Sequence, residues 1–283
     1  MDIVKFKNYS WKYSETDKYV LKNINLTIQQ GEFLGIIGNV GSGRSTLCMS
    51  LLGLVPHLFY GKTKGELIVD DIVVKKAKIS DLSSRVGLVL QSPDTQLTGA
   101  GTNVEEELAF GLENLGVPRR EIIKKVDSML KLLNLEQLRN RSPFELSGGQ
   151  QQKVAIASVF IMEPKILVLD EPTAQLDPLG TEQVFSFIKK LAKKGTTIIL
   201  NTQKIDYIAE FADRIAVVNK GRVVKVGETR EILTNVELLR RNGISPTVFT
   251  KLSEELIKNR LYKGELAMTF GDAVKIMKKV KRK

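Results

Sequence analysis

Residues 38–46 read GNVGSGRST. A glycine, four residues, a second glycine, a basic residue and a hydroxyl form the pattern of a phosphate-cradling loop. Gly38, Gly41 and Gly43 allow the backbone to curl, so that N–H groups along Asn39, Ser42 and their neighbours converge on phosphate oxygens. A helix starting near Ser45 and Thr46 adds its positive end, and the Ser45 hydroxyl is placed to ligate Mg²⁺. The pattern calls for lysine where this chain has Arg44. Lysine is a compact ammonium that reaches two phosphates inside a tight loop, whereas arginine is longer and presents a planar fork. The charge survives, so nucleotide binding is expected. Alignment for γ-phosphoryl transfer is expected to suffer, with a tolerated exchange as the alternative.

Two further segments carry chemistry. Residues 166–178 read ILVLDEPTAQLDP. Asp170 ends a predicted buried strand, where strand ends meet ligands in an open α/β sheet, and suits Mg²⁺ directly or through water. Glu171 follows and is a candidate general base for an attacking water. Residues 146–150 read LSGGQ and open a long apolar-periodic segment. Ser147, Gly148, Gly149 and Gln150 therefore form a second anion-binding helix start.

The elements that must position these groups follow from periodicity. Short apolar runs at 32–37, 85–90, 165–169, 196–201 and 214–218 read as strands, with helical patterns at 45–53 and 178–193 between them. Near-continuous apolar strands alternating with helices predict an α/β fold with a mostly parallel sheet covered on both faces. Residues 103–163 are helical in pattern, which predicts a helical subdomain (about 92–163) inserted into a domain spanning 1–228. Residues 229–283 carry short helical patterns at 229–241, 246–258 and 271–280, with Pro246 and Gly264 as breakers. This helical extension holds no catalytic constellation and reads as a dimer or docking element.

Composition bounds the partners. The chain has 283 residues, 42% of them hydrophobic, and no stretch near the roughly 20 apolar residues of a membrane span. The N-terminus shows no apolar signal-peptide core, so a soluble, unsecreted chain is expected. Cys48, the sole cysteine, falls in an apolar helix pattern and reads as a small buried hydrophobe. The net charge is +11, with six basic residues in the final nine, KIMKKVKRK. A solvated Lys-rich surface comes first and attraction to an anionic membrane second. Nucleic acid is not expected, because no basic stripe with interleaved aromatics accompanies the charge.

With these motifs in order, the chain resembles the ABC ATPases over about its first 228 residues. The Walker A segment lies at 38–46, the Q-loop at Gln91, the signature at 146–150, Walker B at 166–171 and the D-loop at 174–177. The resemblance implies a P-loop NTPase with a small N-terminal antiparallel sheet, bound to ATP and Mg²⁺. Ser45, Gln91 and Asp170 would surround the metal, and Asp177 would lie at a dimer interface. Ser147, Gly148 and Gly149 would face the ATP of a partner subunit in a head-to-tail dimer. Family members carry histidine where this chain has Gln203, in ILNTQKIDY. Glutamine can donate a hydrogen bond there but cannot take up charge. Tyr13 corresponds to the adenine-stacking aromatic, with Trp11 and Tyr19 as competitors.

The segment QSPDTQLTGAGTNVEEELAFGLENL at 91–115 and the tail ELLRRNGISPTVFTKLSEELIKNRLY further resemble the energy-coupling factor (ECF), or cobalt-type, importer ATPases. That resemblance implies a second ABC ATPase in a heterodimer, a transmembrane coupling protein and a membrane substrate-binding subunit. The location would be peripheral, on the cytoplasmic side of the cell membrane, and the cargo a vitamin or transition-metal ion. The alternatives are a regulatory nucleotide-binding ABC protein without transport and a nucleic-acid-linked ABC ATPase.

Overall fold

In the computed structural model, which describes residues 1–92 and 96–280, ten strands form two sheets. Residues 93–95 of the segment led by Gln91, and 281–283 of the basic tail, lie outside the described residues. The strands are β1 (Asp2–Tyr13), β2 (Leu21–Gln29), β3 (Phe33–Gly38), β4 (Gly61–Val69), β5 (Ile72–Val73), β6 (Val86–Val89), β7 (Ile166–Asp170), β8 (Thr197–Asn201), β9 (Arg214–Asn219) and β10 (Arg222–Glu228). The helices are α1 (Arg44–Leu51), α2 (Leu54–His57), α3 (Ile79–Ser83), α4 (Val104–Asn114), α5 (Arg119–Leu133), α6 (Gly148–Phe160), α7 (Pro178–Ala192), α8 (Ile205–Phe211), α9 (Thr229–Leu233), α10 (Val236–Arg241), α11 (Val248–Lys258) and α12 (Phe270–Met277).

The larger sheet runs β10-β9-β3-β8-β7-β6 and is parallel except for β10 at its edge. Its middle strands are buried along their whole length, which is why FLGII, ILVL and TIIL read as unbroken apolar runs. The smaller sheet, β2-β1-β4-β5, is antiparallel. Its long strand β1 is mostly buried or half-buried, exposes Lys7 and Asn8, and shifts register against both neighbours around Asn8, a left-handed residue.

Two apolar cores sandwich the larger sheet. One lies against the smaller sheet and α1 and contains Trp11, Leu34, Leu47 and fully buried Cys48. Burial pushes the Cys48 thiol well above its ordinary range, so it behaves as a hydrophobe and not as a nucleophile. The other core takes in α4, α5, α6 and α7 and also accepts Leu233, Leu239 and Ile244 from the C-terminal segment. Helices α11 and α12 close over a small separate cluster of Ala267, Ala273 and Ile276. No helix among the described residues is long and apolar enough to cross a membrane.

Candidate functional site

Strand β3 ends at Gly38, where the neighbouring strand β9 leaves no room for a side chain. A Cβ on Gly38 would lie 2.2 Å from the Val218 carbonyl oxygen of β9. The chain then loops through Gly41 (φ 74°) and Gly43 (φ 100°), a left-handed geometry that glycine adopts without steric cost. Gly43 caps α1 without any side-chain bond to its N–H groups, which leaves the first donors of the helix without an intrahelical partner. Ser42 is buried, and its Oγ has no hydrogen-bond partner. An orphaned hydroxyl in a concave, donor-rich loop fits a phosphate. The loop rests on the β9–β10 turn, whose Gly221 N–H donates to the Ser42 carbonyl at 2.9 Å. Ser45 is exposed at the first turn of α1.

The acids arrive by strand register. Asp170 ends β7 directly beside Asn201 at the end of β8, and Asn201 donates through Nδ2 to Asp170 Oδ1. Glu171 follows in a left-handed turn (φ 50°), with its N–H donating to the Asn201 carbonyl at 2.8 Å. Arg44 reaches this pair from α1. Its Nη1 donates to Asn201 Oδ1 at 2.5 Å and to Glu171 Oε1 at 3.2 Å. Arg44, Glu171, Asp170 and Asn201 thus form one buried polar cluster between the phosphate loop and two strand ends. Asn201 is fully buried at its centre, and the sequence did not mark it. The available signal was an amide ending the apolar run TIIL, one strand over from the acids.

Gln203 comes to the same cluster through its backbone: its N–H donates to Glu171 Oε2 at 3.2 Å, and its side chain is exposed. Gln91 is exposed just past β6. Gln96 shapes this exit by accepting the Leu90 N–H and donating to the Leu88 carbonyl, extending the strand pattern with a side chain. Tyr13 sits over the first turn of α1, with its hydroxyl 3.1 Å from Thr46 Oγ1 and its ring edge-to-face on Trp11 and Phe59. Trp11 is wholly buried, and Tyr19 lies under the Lys64 ammonium. Of the three aromatics, Tyr13 is the one joined to the phosphate-loop helix.

The second glycine-rich helix start lies apart from the phosphate loop in the sequence. Ser147 is the N-cap residue of α6, and its N–H donates to Gln150 Oε1 at 3.0 Å, one arm of a capping box. Gly149 packs on Gly180 of α7, where an added Cβ would lie 3.0 Å from the Gly180 Cα. Asp177 caps α7 through a 2.6 Å bond from the Gly180 N–H. One compact unit therefore carries Ser147, Gly148, Gly149 and Asp177. Behind it Lys204 donates to the Thr173 carbonyl and to Thr181 Oγ1, and burial lowers its ammonium below the ordinary lysine value, opposed by Glu171.

Among the described residues no group of three or more His, Cys, Asp or Glu side chains could cage a metal. Mg²⁺ at a nucleotide site takes one or two protein oxygens plus phosphates and water. The Ser45 hydroxyl at the start of α1 and the Asp170 carboxylate at the end of β7 are hard oxygens of that kind. His57 belongs elsewhere, with Nε2 2.8 Å from the Val74 carbonyl.

The ABC transporter family pattern matches residues 21–174. The energy-coupling factor transporter ATP-binding protein EcfA1 of Caldanaerobacter subterraneus subsp. tengcongensis is 43% identical over 261 residues, covering 90% of this chain and 91% of that one. The solved structure of cbiO1 from Clostridium perfringens, part of the ABC transporter complex cbiONQ, superposes with a TM-score of 0.75. It is 33% identical and covers 91% of this chain and 99% of its own. The ATP-binding cassette MJ0796, solved as a post-hydrolysis dimer bound to ADP and Pi, superposes with a TM-score of 0.67 at 31% identity, over 80% and 98% of the two chains.

Proposed function

Because the chain belongs to the ABC transporter family, as an ATP-binding subunit of ECF type, we propose that it is one half of an asymmetric ATPase pair. It is an ATP hydrolase of an importer. In the proposed pair its own site binds Mg-ATP with slow turnover, while its signature completes an efficient site on a second ATPase subunit. The proposed cargo is a vitamin or a transition-metal ion, moved by a membrane-embedded substrate-binding subunit through a transmembrane coupling protein. The proposed location is the cytoplasmic face of the membrane.

The observation that carries this reading is the Arg44–Glu171 ion pair at 3.2 Å. Backbone N–H groups of the loop would hold the β- and γ-phosphates, and Ser45, Asp170 and Gln91 would hold Mg²⁺, which supplies charge neutralisation when bound. Tyr13 would stack on the base. Glu171 would orient and deprotonate water, but Arg44 competes for the same carboxylate. Gln203 can donate to the γ-phosphate without accepting charge. By contrast, the capped start of α6 carries no departure from its motif and would present Ser147, Gly148 and Gly149 to the partner's ATP. Residues 229–283 would serve the dimer as an extension to the catalytic domain of residues 1–228.

Isolation of the assembled complex from membranes tests this. A second ATPase and integral membrane proteins should co-purify. Glu171→Gln in this chain should change the complex's ATPase by less than about threefold, since the turnover belongs to the other site. Abolition of turnover by that single change would contradict the asymmetric reading.

A further inference from the structure

Residues 242–248, which join α10 to the first residue of α11, touch the phosphate loop at one place and two elements that flank it at two more. Gly243, at φ 68°, lies against the phosphate loop: a Cβ there would come 2.1 Å from Asn39 Nδ2. Asn242 Oδ1 accepts from Asn219 Nδ2 at 2.8 Å. Asn219 leads into the turn whose Gly221 N–H holds the Ser42 carbonyl. Asp206, three residues beyond Gln203, accepts the Val248 N–H through Oδ1 at 3.0 Å and so caps the chain's approach to α11. These contacts surround a cleft of about 330 Å³ lined by Asn39, Val40, Gln203, Ser245 and Lys251, among others.

Both ends of the segment are anchored. Leu239 and Ile244 sit in the large core. Thr247 is fully buried, with its Oγ1 2.8 Å from Thr250 Oγ1. A packed segment with fixed ends has little compliance. When the phosphate loop or the segment at Gln203 moves, residues 242–248 must follow or lose these three contacts.

We propose that residues 242–248 form a strap coupling this chain's phosphate loop and the Gln203 segment to the C-terminal helices α11 and α12, with Gly243 as the positioning residue for Asn39. The sequence reads the extension as a dimer or docking element; its residues 242–248 also bear on the phosphate loop and on the Gln203 segment. The proposal rests on residues 38–46 being a nucleotide site. Coupling of this kind is reciprocal: whatever nucleotide does to the strap, the strap does to nucleotide affinity.

The test uses the full chain, Mg-ATP titration and amide hydrogen exchange. Gly243→Ala should weaken Mg-ATP binding about tenfold, within the usual range of such couplings. In an Asn39→Ala background, where the obstructing amide is gone, the same change should cost less than about twofold. Lys258→Ala, on the exposed face of α11, should leave affinity unchanged. In the unaltered chain, Mg-ATP should slow exchange at residues 242–248, a readout that stands even if Gly243→Ala fails to fold. An equal loss in both backgrounds, or exchange at the strap indifferent to Mg-ATP, overturns the coupling alone. An unaltered chain that binds no Mg-ATP overturns the nucleotide reading and the strap with it.

Discussion

Arg44 and Glu171 are ion-paired at 3.2 Å, with side chains only 6% and 14% exposed. The pair spans the gap between the helix that follows the phosphate loop and the turn that follows β7. An arginine can make it because its guanidinium extends past the loop to the strand ends, where a lysine ammonium would stop short. Asn201 makes the arrangement stable, since its amide accepts from Arg44 and donates to Asp170 in one buried bridge. Removing a bridge of this kind leaves charged groups under-solvated.

Asn201→Ala should therefore destabilise the chain by about 2 kcal/mol, a fall of roughly 4–8 °C in Tm. Thermal unfolding of the purified chain measures it. In an Arg44→Lys background the loss should shrink, because the shorter ammonium leans less on Asn201. A loss of the same size in both backgrounds would show that Asn201 acts through Asp170 alone.

The two signature glycines should separate fold from function. Gly149 lies where two helices touch, 3.0 Å from the Gly180 Cα for an added Cβ. Gly148 would bring its Cβ no closer than 3.4 Å to Leu176 Cδ2, an ordinary contact. Gly149→Ala should cost about 1–3 kcal/mol of stability as α6 and α7 are forced apart. Gly148→Ala should leave stability within about 0.5 kcal/mol of the unaltered chain and lower turnover only in the assembled pair. Melting curves of the chain, set beside ATPase rates of the complex, distinguish the two.

What the sequence made legible was local. The strand, glycine loop and helix at 33–51 and the acids ending β7 are contiguous, so their chemistry survives reading one residue at a time. The capped helix start at Ser147 is legible for the same reason. The remainder of the site depends on register and close approach across long separations. Asn201 meets Arg44 at a separation of 157 residues because β8 lies between β3 and β7. Gly180 and Gly243 look like unremarkable glycines until α6 and the phosphate loop are seen to press on them. The C-terminal segment was read by its helical pattern, which reports its own amphipathicity and not its neighbours. Strand order, which periodicity does not encode, decides all of these meetings.

Asp70 gives a pH signature for the joint between the two sheets. It follows β4 and accepts from Arg85 at 2.8 Å and Lys165 at 2.8 Å. Burial pushes its carboxyl up, but the bonds from Lys165 and Arg85 prevail and hold it below the usual value of 3.8. A carboxylate with a lowered folded pKa contributes stability that is complete above its unfolded pKa and lost as pH falls through the folded one. The Tm difference between the unaltered chain and Asp70→Asn should be full at neutral pH and diminish below about pH 4. A difference constant across the acid range would assign Asp70 a purely steric role.

The asymmetric reading makes its sharpest demand on the two departures acting together. In a head-to-tail pair, one chain's phosphate loop, acids and position 203 meet the other chain's signature. On that reading Arg44 and Gln203 would burden this chain's own site, while Ser147 and its glycines would serve the other. Loss of a transition-state contact worth about 3–4 kcal/mol slows turnover roughly 10²–10³-fold. Arg44→Lys alone frees Glu171 but leaves position 203 without a group that can hold charge, and Gln203→His alone leaves Glu171 paired. The double change Arg44→Lys/Gln203→His should raise turnover by more than the product of the single changes, because both act on one transition state. Asn201 must be kept in that experiment, since its amide still orders Asp170. Ser147→Ala should lower the turnover of the assembled pair without altering Mg-ATP affinity of this chain alone. ATPase rates of the chain, its variants and the reconstituted pair decide the matter. Brisk hydrolysis by the unaltered chain, unmoved by the double change, would mean that the Arg44–Glu171 pair opens freely and that the two sites are equivalent.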